Sequence, residues 1–305
     1  MSRTPRQAHL AKAISQWPMI RIAISIQLSY DIDALGSDFI FNIHAAMTPQ
    51  QNLISEQISV SQDVAIAMHA DPLNHNRVMR FSANAGALQV NYQATVDLQH
   101  HTASADQVQE MGVANLPWHV LPYLYPSRYC QSDQLHDIAN QAFGSLSHGY
   151  LRVQAIRDWV LSRVTFHSNT SNEHTTALDT LRSGVGVCRD FSHLMIALCR
   201  ALSIPARFVT GIDYGSDPAL GPTDFHAYVE VYLDSRWYIF DASGVAVPMG
   251  LLRLSTGRDA SDTAIATIFG SVRGSAPIIS VQAVADALGV LEIPQHVAYA
   301  ISTDF

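Results

Sequence analysis

Gly184-Val185-Gly186-Val187-Cys188-Arg189-Asp190-Phe191-Ser192-His193-Leu194 is a glycine-punctuated loop that runs into an apolar helix and sets one cysteine on its first turn. The positions Phe191, Leu194, Met195, Leu198, Ala201 and Leu202 recur at helical spacing, and Pro205 stops the helix. A helix start carries unpaired N–H groups and the positive end of the dipole, and both favour thiolate over thiol. Cys188 is therefore a candidate nucleophile. Asp190 is expected to cap the helix or complement its dipole, with its side chain turned away from the thiol or paired with Arg189. His193 lies five positions past Cys188, off the nucleophile's line, and is read as structural.

Two further groups follow downstream: His226 in Asp224-Phe225-His226-Ala227-Tyr228-Val229, and Asp241 in Trp237-Tyr238-Ile239-Phe240-Asp241. A two-residue turn at Asp234-Ser235 would pair Leu233 with Arg236 and Tyr228 with Asp241. His226 and Asp241 then become diagonal neighbours on one face, about 7–8 Å apart at Cα. A one-residue slip would separate them. The opposite face carries Ala227, Val229, Val231, Tyr238 and Phe240, an ordinary core face. Cys, His and Asp in this order predict a thiol-based acyl-transfer triad. The thiolate attacks a carbonyl, the imidazole handles the proton, and the carboxylate fixes the imidazole tautomer. The Cys188 N–H is one expected oxyanion donor. Tyr228, on the triad's face, and Trp237 are expected substrate-binding residues, Trp237 as core or pocket wall.

At these residues the chain resembles the transglutaminase-like superfamily of papain-type thiol enzymes, and in particular its bacterial branch of cysteine-protease-like proteins. The phrases that carry the resemblance are Ser127-Arg128-Tyr129-Cys130, the Gly184–Phe191 run, Ile204-Pro205-Ala206-Arg207, Phe225-His226-Ala227-Tyr228-Val229 and Trp237-Tyr238-Ile239-Phe240-Asp241-Ala242. The resemblance implies Cys188 as nucleophile, His226 as base and Asp241 as orienting acid, on a papain-like core. The family spans cross-linkers, peptidases, amidases and inactive scaffolds, so the substrate does not transfer with it. No calcium-site motif of the animal transglutaminases is matched.

Residues 20–100 read as short strands at even spacing, including Arg21–Leu28, Phe39–His44, Val78–Ala83 and Leu88–Val96, a pattern that suits an antiparallel sandwich. The expected architecture is α+β: an all-β sandwich over 1–100 (1–18 a flexible or helical lead), a linker over 101–128 with Pro117, Pro122 and Pro126, and a transglutaminase-fold catalytic domain over 129–305. Helices are expected from Ser132 to about Phe143, from Gly149 onward, around Ala177–Leu181 and from Val187 to Leu202. Strands are expected at Ala206–Ile212, Ala227–Leu233, Arg236–Phe240 and Pro277–Gln282, with a helix at Ala264–Phe269.

The 305 residues are 48% hydrophobic and 14% charged, with a formal net charge of −8. No basic run points to nucleic acid or an anionic membrane surface. No apolar run approaches the roughly 18 residues of a membrane helix. Ser15, Gln16, Pro18 and Arg21 interrupt any signal-like apolar stretch, which predicts a cytoplasmic protein. Three cysteines, Cys130, Cys188 and Cys199, form no disulfide framework. Cys188 and Cys199 on one helix would stand about 16 Å apart, too far to bridge. His100-His101 has no ligand partners at metal spacing, and no phosphate loop appears, so no metal or cofactor is expected. The expected partner is a peptide or protein substrate. The expected activity is hydrolysis, by a cysteine peptidase or amidase. The alternatives are cross-linking with an amine acceptor, or a transglutaminase-fold scaffold without activity.

Overall fold

The computed structural model describes residues 19–215 and 223–305. The expected lead over 1–18 and most of the expected loop over 213–224 lie outside the described residues. The sandwich begins with β1 (Ile20–Ile32), β2 (Ser37–Phe41), β3 (Gln51–Val60), β4 (Ala67–Ala70), β5 (Arg77–Ala83) and β6 (Gly86–Leu98). Strand β1 alternates strictly at first: Ile20, Ile22, Ile24, Ile26 and Leu28 are buried while the residues between them are half-exposed. That two-residue period puts one face on the core and leaves the other wet. Phe39, Phe41 and Phe81 stack across β2 and β5 with centroids 5.5–5.8 Å apart, adding directional ring packing to simple burial.

The second half follows with β7 (His101–Ala103), α1 (His136–Phe143), α2 (Tyr150–Arg163), β8 (Thr165–Phe166), α3 (Ala177–Ser183), β9 (Val185–Gly186) and α4 (Cys188–Ala201). Next come β10 (Ala206–Asp213), β11 (Phe225–Leu233), β12 (Arg236–Phe240) and β13 (Leu251–Gly257). The chain closes with β14 (Ala266–Phe269), β15 (Val272–Gly274), β16 (Ile278–Ala283) and β17 (Ala300–Asp304). A six-stranded sheet runs β13-β10-β11-β12-β17-β7. One face, with Phe208, Ala227, Val229, Val231, Tyr238 and Phe240, packs on α4 and α2. The other, with Val209, Tyr228 and Ile239, shares one apolar cluster with the sandwich. The central sheet is therefore dry on both sides, and every residue of β10 is buried.

Helix α4 is the hub. The sequence suggested an apolar stripe, but every residue from Asp190 to Ala201 is buried. The helix meets β10 and β11 on one side and α1, α2 and α3 elsewhere, so even its polar positions are enclosed. Arg200 survives there because its guanidinium donates to the Ala206, Tyr125 and Arg258 carbonyls and to Ser127 Oγ.

Three expectations change. Ala266–Phe269 is a strand paired with β2; four residues rich in β-branched and aromatic side chains suit a pleated edge better than a helix. The 129–305 segment is not wholly in the second half, because β15 and β16 pair antiparallel with β1. Nor does 101–128 hang free as a linker. His101–Ala103 joins the six-stranded sheet beside β17, and Leu116, Val120 and Tyr123 pack on Tyr232 and Trp237.

Because β14–β16 supply edges to both sandwich sheets, a fragment covering residues 19–128 should lack a cooperative thermal transition by circular dichroism. A sharp two-state melt of that fragment would show that the returning strands are dispensable.

Candidate functional site

The approach to Cys188 is built by two glycines and two carboxylates. Thr176 and Asp179 cap α3 reciprocally, and Gly184 ends it in the left-handed region at φ 68°. The chain then pairs as β9 with β8. At Gly186 a Cβ would lie 2.7 Å from the Asp190 Cβ, so only glycine lets Asp190 fold back over the helix start. The Val187 N–H donates to Asp190 Oδ2 at 2.9 Å, and Ser171 Oγ donates to Asp190 Oδ1 at 2.8 Å. Asp190 is fully buried and lies 3.6 Å from the Arg189 guanidinium. Its charge is thus consumed by the cap and by Arg189 rather than set against the thiol.

Arg189 also fixes what stands beside the thiol. It donates to Ser171 Oγ at 3.0 Å and to the Asn172 carbonyl at 2.9 Å. Its guanidinium lies 4.4 Å from the centroid of the Tyr129 ring. Tyr129 in turn stacks on His193 at 5.0 Å and donates its hydroxyl to the Glu173 carbonyl. The segment Ser171–Glu173 is therefore pinned to the first turn of α4. Sequence reading missed this brace, because its members lie in three separate stretches. His193 is buried and accepts from the Ala260 N–H, a structural role.

His226 enters β11 opposite Gly211 of β10. At Gly211 a Cβ would strike the Leu252 carbonyl oxygen at 2.4 Å, and the β10–β13 register shifts there. The hairpin after His226 turns at Asp234 and Ser235, at φ 45° and 65°, the two positive angles of a tight primed turn. Leu233 pairs with Arg236 and Val229 with Phe240. The ladder ends there, one pair short of the expected Tyr228–Asp241 match, and Asp241 is held by the turn that follows.

His226 and Asp241 come together with Nε2 and Oδ1 3.3 Å apart, both side chains buried. Cys188 lies near enough to the same imidazole to help hold its proton, and since Nε2 faces Asp241, Nδ1 is the nitrogen open to the sulfur. Burial alone would drive the imidazole toward its neutral form. The Asp241 carboxylate, and then Cys188, outweigh it and hold His226 well above its ordinary value. Burial likewise opposes ionisation of Asp241, but His226, the Ala246 N–H and Ser243 together hold it below the usual carboxylate range. Ser243 N–H and Oγ donate to Oδ1 at 3.0 and 2.7 Å, and Ala246 N–H donates to Oδ2 at 2.8 Å. From α2, Arg157 Nε donates to the Asp241 carbonyl at 2.9 Å.

The other two expected site residues lie elsewhere. Tyr228 is fully buried in the cluster shared with the sandwich, its strongest electrostatic neighbours Glu230, Arg253 and Arg207. Trp237 is 1% exposed, edge-on to Tyr123 and Tyr232 and under the Arg207 guanidinium. The reason is the same for both: the six-stranded sheet is covered on both faces, so a place on β11 or β12 close to His226 or Asp241 leaves the side chain in the core.

Residues 136–242 match the family model described as the transglutaminase-like superfamily, and residues 20–119 match that of the bacterial transglutaminase N-terminal domain. A solved structure from Cytophaga hutchinsonii, described as a "putative cysteine protease", is 34% identical, covers 93% of this chain and 98% of its own, and superposes with a TM-score of 0.85. This chain belongs to the transglutaminase-like superfamily. An uncharacterised protein of Mycobacterium leprae is 29% identical over 116 residues, 37% of this chain. The chain spans about two fifths (42%) of the length of that curated relative. The periplasmic domain of TgpA from Pseudomonas aeruginosa is 13% identical with a TM-score of 0.38, over 75% of this chain and 92% of that one. Among the described residues no helix is long and apolar enough to cross a membrane.

Two outcomes follow from the site's electrostatics. Cys188 is half-buried beside His226, whereas burial pushes the Cys130 thiol up to about 12 and raises that of Cys199 as well. Iodoacetamide near pH 6 should therefore label Cys188 well before the other two, read by peptide mass spectrometry; equal labelling in the folded protein would refute an activated thiol. The His226–Asp241 pair also makes stability depend on pH. A raised histidine stabilises fully below its ordinary 6.5 and loses that contribution as pH rises through its native value. A lowered aspartate stabilises above its ordinary 3.8 and loses it as pH falls through its native value. The excess stability of the parent over an Asp241→Asn variant should be greatest between roughly pH 4 and 6.5 and shrink on either side. A difference flat from pH 3 to 9 would contradict a buried ion pair.

Proposed function

We propose that this protein catalyses thiol-dependent acyl transfer on peptide or amide bonds through Cys188, His226 and Asp241, with water as the acceptor. The carrying observation is the buried His226, its Nε2 3.3 Å from Asp241 and its proton held by Asp241 and Cys188. Membership of the superfamily and the likeness to the Cytophaga protein support the same reading.

In the acylation step the Cys188 thiolate adds to the carbonyl carbon, forming a C–S bond and an oxyanion. The Cys188 N–H, first in α4, has no acceptor within the helix and can donate to that oxyanion. His226 gives its Nδ1 proton to the amine, which leaves as the C–N bond breaks. A thioester remains. His226, now neutral, takes a proton from the attacking water, and the C–S bond breaks to release the acid and restore the thiolate–imidazolium pair. Asp241 accepts from Nε2 throughout and favours the imidazolium. Three free cysteines suit a reducing compartment, which supports a cytoplasmic location. The acidic net charge supports a peptide or protein substrate rather than a nucleic acid.

Screening of peptide libraries gives the substrate on which variants are compared. Cys188→Ala should abolish turnover. Asp241→Asn should lower kcat by roughly ten- to a thousandfold, less than the loss in a serine triad because a thiolate needs less help. Its melting curve should report a cost of about 1–3 kcal/mol, since the amide cannot accept from all of its present donors. Full activity of Asp241→Asn, or thioester chemistry in Cys188→Ala, would defeat the assignment. Incorporation of a labelled amine in place of hydrolysis would make the protein a cross-linker. A parent that turns over nothing and whose Cys188 resists alkylation would be a scaffold.

A further inference from the structure

We propose that Ser243 is a positioning residue of this site: its hydroxyl holds the Asp241 carboxylate in place and takes up part of its charge, and so sets how strongly His226 keeps its proton. The proposal rests on the function proposed above and concerns the same three groups.

Asp241 has no idle oxygen. Oδ1 takes Ser243 Oγ at 2.7 Å, Ser243 N–H at 3.0 Å and His226 Nε2 at 3.3 Å; Oδ2 takes the Ala246 N–H at 2.8 Å. The hydroxyl contact is the shortest of the four and the imidazole contact the longest. A hydroxyl donating to a carboxylate makes a charge-assisted hydrogen bond, about twice as strong as a neutral one. It competes with the imidazole for the same oxygen. Two consequences follow. The carboxylate is fixed so that Oδ1 faces Nε2, and it presents His226 with less than its full charge. Two backbone N–H donors remain if the hydroxyl is removed, so the carboxylate stays in the turn but loses its shortest contact. Ser243 is itself 5% exposed. With water so largely excluded, solvent is a poor substitute for the lost donor.

The direction of the effect is therefore fixed. In Ser243→Ala, Oδ1 becomes more basic and turns more of its charge to His226, so the imidazolium persists to higher pH. The looser carboxylate also orients the ring less well, so proton delivery to the leaving amine slows. Ser243→Thr keeps the hydroxyl and should behave close to the parent.

The test reads Cys188 alkylation by iodoacetamide from pH 4 to 10 in the parent, Ser243→Ala and Ser243→Thr, alongside kcat and KM on a screened peptide. Iodoacetamide needs no substrate and reports the thiolate–imidazolium pair directly. Ser243→Ala should move the alkaline step of the profile upward by roughly 0.5–1 pH unit, the scale expected when one of several hydrogen bonds to a carboxylate is lost. It should lower kcat roughly 3- to 30-fold with KM unchanged, and Ser243→Thr should restore both. A residue that merely packs would lower the melting temperature and leave the alkaline step where it was. An unmoved step in Ser243→Ala, or a loss that Thr does not restore, overturns the proposal while the parent's own profile still supports the three-residue site. A parent whose Cys188 shows no such pH-dependent reactivity overturns the proposed function itself, and the role of Ser243 with it.

Discussion

A buried imidazolium is stable only beside a buried anion, and the His226–Asp241 pair is the constraint on which the rest of this site depends. Each group alone would be forced toward neutrality by the dry interior. Together they stay charged, but attraction alone rarely repays the loss of water around two ions. Here the remaining acceptor capacity of the carboxylate is filled by Ser243 and Ala246. The pair is thus one hydrogen-bonded unit, and Cys188 is brought to it by a helix that is itself enclosed on every side.

The same logic recurs further along the six-stranded sheet. Arg207 Nε donates to Glu230 Oε2 at 2.7 Å, while Arg207 and Arg253 donate to Asp304 Oδ2 at 2.7 and 2.8 Å, all four side chains buried. Two cations and two anions sum to neutrality. Burial opposes the charge on Arg207, yet Glu230 and Asp304 hold it charged, and the two arginines hold Asp304 far below the usual carboxylate range. The cluster joins β10, β11, β13 and β17, and Arg253 reaches the Asn74 carbonyl of the sandwich. It binds the chain's last strand into the sheet and ties that sheet to the sandwich. Removing one member would leave its partner buried and unpaired, a loss of about 3–5 kcal/mol.

What the sequence made legible was local. Gly184 and Gly186 mark a loop that only glycine can follow, and the stripe from Phe191 to Leu202 marks the helix that carries Cys188. Asp234-Ser235 sets the hairpin register because a two-residue turn admits few alternatives. From that register the proximity of His226 and Asp241 follows, even though the ladder stops at Val229–Phe240. What stayed hidden was non-local. The return of residues 266–283 to the sandwich depends on pairings with β1 and β2 more than 200 positions earlier, which alternation alone cannot assign. The burial of Tyr228 and Trp237 depends on both faces of the sheet being covered, and a strand's own pattern gives only which residues share a face. The brace of Tyr129, Ser171 and Arg189 beside the thiol, and the Arg207–Asp304 contact spanning 97 positions, leave no periodic trace at all.

The position of Asp241 explains why a sandwich accompanies this core. The turn that holds the carboxylate leads through Ala246 and Met249, both buried in the cluster shared with the sandwich, into β13 and then into the strands that complete the sandwich sheets. On its other side the Asp241 carbonyl is gripped by Arg157 of α2. The anion is therefore set from two layers at once, the helical layer through its backbone and the sandwich through the turn after it. Loosening either layer would shift Oδ1 relative to Nε2, and at 3.3 Å that contact has little to spare before it ceases to be a hydrogen bond. The sandwich is thus part of the support of the site, although the hydrogen bonds that hold His226 and Asp241 come from Arg157, Ser243 and Ala246 rather than from its strands.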